Sequence, residues 1–124
     1  MIDKRPVNLD LGTIKFPIAA LVSIAHRVSG VALVGGMLIL LFLFGHSLKS
    51  AEAFADVQAW LSSLPVKLLV WAILAALIYH MLAGIKHLVM DAGIGESLEG
   101  GKIGATVVIV LTVLGVLMAG VWVW

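Results

Sequence analysis

The sequence predicts an all-α integral membrane protein, a bundle of three transmembrane helices with its N-terminus on the cytoplasmic side. Composition is the first observation behind this: of 124 residues, 62% are hydrophobic and 12% charged, and the mean hydropathy is +1.17. A soluble domain of this length needs far more polar surface. The second is the distribution of charge. Residues 28–48, 68–85 and 103–124 contain no Asp, Glu, Lys or Arg, and each stretch approaches or exceeds the ~20 residues that cross a ~30 Å hydrocarbon core. The third is periodicity: these Leu, Val, Ile and Ala runs do not alternate as strands do, and spanning backbone must satisfy its own hydrogen bonds, so helices are required.

Residues 1–16 (MIDKRPVNLDLGTIKF) carry three cations and two Asp without an apolar stretch. They read as a cytoplasmic N-terminal segment, not a cleaved signal peptide, so the first span is expected to stay in the mature chain. The membrane domain is expected to fill residues 17–124, with helices at about 17–48, 65–92 and 103–124. Pro17 and Pro65 suit the first turns of their helices, where a missing N–H is harmless. The connection at 49–64 is polar and mildly amphipathic, suited to lying along the interface. The second connection, DAGIGESLEGGKIG, is rich in Gly and acidic residues and reads as a solvent loop.

Cations set the orientation. Lys4, Arg5, Lys15 and Arg27 precede or enter the first span and Lys86 and Lys102 flank the second connection, against Lys49 and Lys67 at the first. The end holding the N-terminus has the excess and is expected to be cytoplasmic. Trp60, Trp71, Trp122 and Trp124 then fall toward the opposite face, as an aromatic belt would. A net charge of +1 without a long basic tract leaves no footprint for nucleic acid. The absence of Cys excludes disulfides, thiolate haem ligation, covalent haem attachment and Cys-held iron–sulfur clusters within the chain. Any metal centre must rest on His.

Polar groups inside the spans need a reason. In SIAHRVSG, residues 23–30, helical spacing puts Ser23, His26, Arg27 and Gly30 on one stripe. This is a site for a polar-headed ligand, or else Arg27 snorkels to phosphates and Ser23 bonds back to its own helix. In YHMLAGIKH, residues 79–87, His80, Gly84 and His87 share a second stripe, the two His roughly 10 Å apart along the axis. A His one turn from a Gly suits a flat macrocycle, the imidazole ligating iron and no side chain colliding with the ring. It suits an interhelical hydrogen bond equally well. His46 has no partner at helical spacing and reads as interfacial. Asp91 reads as a solvated carboxylate, with proton delivery as the alternative. Ala32 with Gly36, and Gly115 with Ala119, form small-xxx-small pairs suited to close helix packing.

The RPVNLDLGTIKFPIAALVSIAHRVSG and YHMLAGIKHLVMDAG segments together resemble the large cytochrome b membrane-anchor subunits of bacterial succinate dehydrogenase, respiratory complex II. The similarity covers almost the whole chain: the RP start, the S-x-x-H-R-x-S-G block, the H-x-x-x-G-[IV]-[RK]-H block with its D-x-G, and three spans in matching order. Lys86 departs from the Arg common there, keeping the charge but not a bidentate fork.

The resemblance implies that His80 is an axial ligand of haem b iron, with the other ligand from a second, small three-helix membrane-anchor subunit. It implies that His26, Arg27 and His87 lie near the haem propionates and that Ser23 and Arg27 form part of the ubiquinone site. FAD and iron–sulfur clusters would reside only in the flavoprotein and iron–sulfur partner subunits, on the cytoplasmic side of a bacterial inner membrane, in a complex that can form a higher oligomer. Succinate oxidation would occur in a partner subunit, so the chain alone is not catalytic. The rival expectations are a menaquinone-linked fumarate reductase anchor, a structural anchor without haem, and a small transporter using His80, His87 and Asp91 as a proton ladder.

Overall fold

The computed structural model describes residues 10–124. Asp3, Lys4 and Arg5 of the N-terminal segment lie outside the described residues. The first described element is a single 3-10 turn at Leu11–Thr13, tied by Asp10, whose carboxylate accepts from the Gly12 N–H at 3.0 Å. Four helices follow: α1 at Ile18–Ser47, α2 at Ala51–Ser62, α3 at Leu64–Asp91 and α4 at Leu98–Val123. No strand is present among the described residues. Helices α1, α3 and α4, of 30, 28 and 26 residues, are long and apolar enough to span a membrane. At 1.5 Å per residue each is roughly 40 Å long, more than the ~30 Å hydrocarbon layer, so their ends reach into the headgroup zone.

Two elements differ from the sequence expectation. The first connection is itself helical. Ser50 caps α2, its side chain accepting from the Ala53 N–H at 3.1 Å, and Glu52 sits in the first turn, where the helix dipole favours it. Ala53 and Val57, four residues apart, are buried. Ser63 ends α2 and also begins α3, with Pro65 in the first turn, so the chain reverses there without a loop.

The other difference is the start of α4, five residues earlier than expected. Ser97 accepts from the Gly100 N–H at 3.0 Å and Glu99 lies in the first turn. The glycines that read as loop are packing residues: Gly101 is buried, and Lys86 lays its stem over Gly104. A Cβ on Gly100 would stand 2.7 Å from the Gly95 carbonyl oxygen, so the turn closes only with a bare backbone there. Helix α3 ends in a Schellman motif, with Gly93 N–H bonded to Met90 O at 2.9 Å and Ile94 N–H to Val89 O at 3.2 Å. Gly93 sits at φ 82°, a left-handed conformation that glycine adopts without strain.

Packing is close and thin, as lipid permits. The core is Val22, Ala83, Ala105 and Val108, with Ile18, Ala19, Tyr79 and Leu82 around it. Ala83 and Ala105 are fully buried, small residues that let three helix backbones converge. Gly36 and Gly115 receive Ile73 and Ile78 of α3. Ala32, the other member of the α1 pair, is exposed. Most large apolar side chains face outward, Val31, Leu38, Met118 and Val121 among them. A hydrocarbon solvent gives no drive to bury them.

Candidate functional site

The site forms where α1 crosses α3. His80 reaches from α3 to the backbone of α1, its Nδ1 lying 3.1 Å from the His26 carbonyl oxygen and 3.1 Å from Ser29 Oγ. The Ser29 hydroxyl donates to that same carbonyl at 2.8 Å. A carbonyl only accepts, and the hydroxyl's hydrogen is already committed, so the proton between these groups belongs to Nδ1 of His80. This assigns the tautomer of the neutral ring from the hydrogen-bond network: Nδ1 carries the hydrogen, which leaves the lone pair on Nε2.

Two glycines make the approach possible, in reciprocal fashion. A Cβ on Gly30 of α1 would stand 3.0 Å from His80 Cε1, and a Cβ on Gly84 of α3 would stand 3.3 Å from His26 Nε2. Each histidine thus lies against the other helix's glycine. The rings of His26 and His80 stack at 4.1 Å between centroids and 15° between planes. His87 stands tilted to His26 at 5.2 Å. The notch at Gly84, read from sequence as room for a flat ring beside His80, is met within this chain by the imidazole of His26. One helical turn away, the Tyr79 hydroxyl donates to Val22 O at 2.7 Å, a second side chain of α3 fixed to the backbone of α1.

The expected stripe on α1 divides. His26, Ser29 and Gly30 face α3, whereas Ser23 is half-buried and Arg27 is exposed. Consecutive residues are about 100° apart around a helix, so His26 and Arg27 cannot face the same neighbour. Neither Ser23 nor Arg27 makes a hydrogen bond or ion pair among the described residues. Lys86 lies against Gly104 of α4 and Asp91 is exposed at the end of α3. Ser29 is the residue that sequence reasoning missed. The signal was present, since Ser29 follows His26 by three residues and so shares its face.

The far end of the bundle is aromatic. Trp71 donates its indole N–H to Val116 O at 2.9 Å and meets Trp124 edge-on at 5.9 Å. The Lys67 ammonium lies 6.0 Å from the centre of the Trp124 ring. His46 stacks on Trp60 at 5.0 Å and on Phe42 at 6.1 Å. It therefore does have a partner at helical spacing, an aromatic one four residues earlier.

This fold and site define a three-span helical membrane protein with intramembrane histidines held at the crossing of its first two spans. Residues 1–119 match the model of the succinate dehydrogenase/fumarate reductase transmembrane subunit family, and the chain belongs to that family. It is 43% identical to the succinate dehydrogenase cytochrome b556 subunit of Coxiella burnetii, over 98% of each chain. It is 36% identical to the subunit of that name from Paracoccus denitrificans, over 77% of this chain and 73% of the relative. It is also 33% identical to the mitochondrial cytochrome b560 subunit of Mus musculus, over 89% of this chain and 66% of the relative.

Proposed function

We propose that this chain is a membrane-anchor and electron-transfer subunit of succinate:ubiquinone oxidoreductase, binding haem b through His80 and forming part of the ubiquinone-reduction site. The observation that carries the reading is the state of His80. Histidines that ligate metals commonly donate their second ring N–H to a carbonyl or other acceptor, which fixes the tautomer and aims the free nitrogen. His80 does this through His26 O and Ser29. No group of three or more His, Cys, Asp or Glu gathers to hold an ion among the described residues. The donor set therefore fits an iron that brings its own macrocycle and takes one imidazole from this chain. A further ligand to that iron would come from the partner anchor subunit.

Bound there, haem b would supply a one-electron store within the membrane. His26, Arg27 and His87 are assigned to its propionate edge; His26 lies against His80 and His87, and Arg27 offers a cation that has no ion pair among the described residues. Ser23 and Arg27, one turn apart and without a hydrogen-bond or ion-pair partner among the described residues, are assigned to ubiquinone. A cation beside a quinone oxygen stabilises the negative charge that reduction places there, all the more in a low-dielectric setting. A serine hydroxyl can donate to the same head group. With its N-terminal end cytoplasmic in a bacterial inner membrane, the chain would seat the iron–sulfur and flavoprotein subunits beside Arg27. Succinate oxidation belongs to those partners. The relatives' names favour succinate oxidation over the fumarate-reducing alternative.

The test is a dithionite-reduced minus oxidised spectrum of the complex purified through this chain with its co-expressed partners. A sharp b-type band with flavin and iron–sulfur subunits present is the expected result. Those partners without a band would reduce the chain to a structural anchor and return His80 to helix packing.

A further inference from the structure

Ser29 has two hydrogen-bond relationships, and its own helix accounts for only one of them. Bonding back to a carbonyl three residues earlier is commonplace, and the 2.8 Å bond to His26 O is of that kind. The same oxygen, however, lies 3.1 Å from Nδ1 of a histidine on another helix, 51 residues away in sequence. Committing its hydrogen to His26 O leaves the Ser29 oxygen with only lone pairs to present, so it acts toward Nδ1–H as an acceptor. His80 thereby has two acceptors on one nitrogen, a carbonyl and a hydroxyl oxygen. Gly30, next in sequence, leaves open the space that the ring occupies.

We infer that Ser29 is a positioning residue for His80, holding its ring orientation and its Nδ1–H tautomer so that Nε2 is delivered to the haem iron. This inference rests on the haem-ligand reading of His80. Acceptors on the distal N–H of an axial imidazole increase its electron donation and favour the oxidised iron, so they also set the reduction potential. Removing one of two acceptors weakens that donation without abolishing it, because His26 O remains. Ser29→Ala is therefore expected to keep haem but raise its midpoint potential and broaden its low-spin signal as the ring gains freedom. Ser29→Thr, which retains the hydroxyl, restores both.

The experiment is a potentiometric redox titration of haem in the whole purified complex, with low-spin electron paramagnetic resonance on the oxidised samples. It compares wild type, Ser29→Ala, Ser29→Thr and Thr106→Val. Thr106 supplies the matched control, since its hydroxyl also bonds back to its own helix, at Lys102 O and 3.0 Å, on α4. The expected result is a higher potential for the alanine variant alone. Equal potentials and signals in wild type and Ser29→Ala would overturn the inference while leaving His80 as ligand. A shift in Ser29→Ala matched by Thr106→Val would overturn it too, marking a general loosening of the bundle. Should the alanine complex not assemble, Ser29→Cys, with a weaker acceptor of similar size, carries the same comparison. A wild-type complex lacking haem is the distinct result that would sink the ligand reading, and this inference with it.

Discussion

Two helix crossings of the bundle are built with the same device and differ in what it leaves over. Midway along α3, His80 lays a ring N–H on the carbonyl of His26 in α1, over Gly30 four residues later. Toward the start of α3, Trp71 lays its indole N–H on the carbonyl of Val116 in α4, over Gly120, again four residues later. In both, a helix without a side chain at the right place lets an aromatic ring from α3 reach its backbone. Indole has one nitrogen, and the bond uses it. Imidazole has two, and His80 keeps Nε2. A plain helix clamp is thereby distinguished from a clamp that also presents a ligand.

Removing the two rings in turn puts this difference under the greatest strain. His80→Ala is expected to abolish the haem band, whereas Trp71→Phe leaves the reduced spectrum unchanged. Next in size is the Arg27 cation, which has no ion pair among the described residues. Arg27→Ala is expected to lower succinate-driven ubiquinone reduction by roughly ten- to a hundredfold, and Ser23→Ala by less. Succinate-driven reduction of a soluble dye should stay intact in both, because that acceptor does not use this chain. Parallel loss of both activities in an assembled complex would remove Ser23 and Arg27 from the quinone site.

The glycines give a smaller and more discriminating contrast. At Gly30 an added Cβ would lie 3.0 Å from the His80 ring, so Gly30→Ala must displace the ring and is expected to alter haem content or spectrum. At Gly120 the added Cβ would lie 3.4 Å from Trp71 Nε1, near ordinary contact. Alanine gains about 0.5–1 kcal/mol in a helix over glycine, so Gly120→Ala is expected to be near neutral in thermal unfolding. The effect of Trp71→Phe itself on stability is also small. Losing one hydrogen bond should lower stability by about 1 kcal/mol, read as an earlier thermal transition of the detergent-solubilised complex.

The same molecule shows how far the sequence reaches. The spans are legible because charge-free runs of that length have one use in a membrane. The first connection, α2, is less legible as a helix: it is short, and what holds it is the Ser50 cap and the burial of Ala53 and Val57. The early start of α4 was hidden by glycines, which mark loops in water and close packing in a bilayer. Gly101 and Gly104 do the second. In the site, helical spacing alone picks out His26, Gly30, His80, Gly84 and His87. It does not say which stripe meets which, so the reciprocal pairing of His80 with Gly30 and His26 with Gly84 emerges only in three dimensions. Ser29 and the Trp71–Gly120 pair escape for the same reason. Their meaning lies in a group on another helix, the His80 ring for Ser29 and the Val116 carbonyl for Trp71, and spacing within one helix does not show which group that is.

The haem reading of the site depends on the spare nitrogen of His80 holding iron, and the decisive quantity is the haem-to-protein ratio of the purified complex carrying His80→Ala, set beside wild type. Haem in wild type and its loss in the variant, with the partner subunits still attached, is the expected result. A variant that retained a full complement of haem with an unaltered low-spin spectrum would contradict it, and would make His80 a clamp like Trp71.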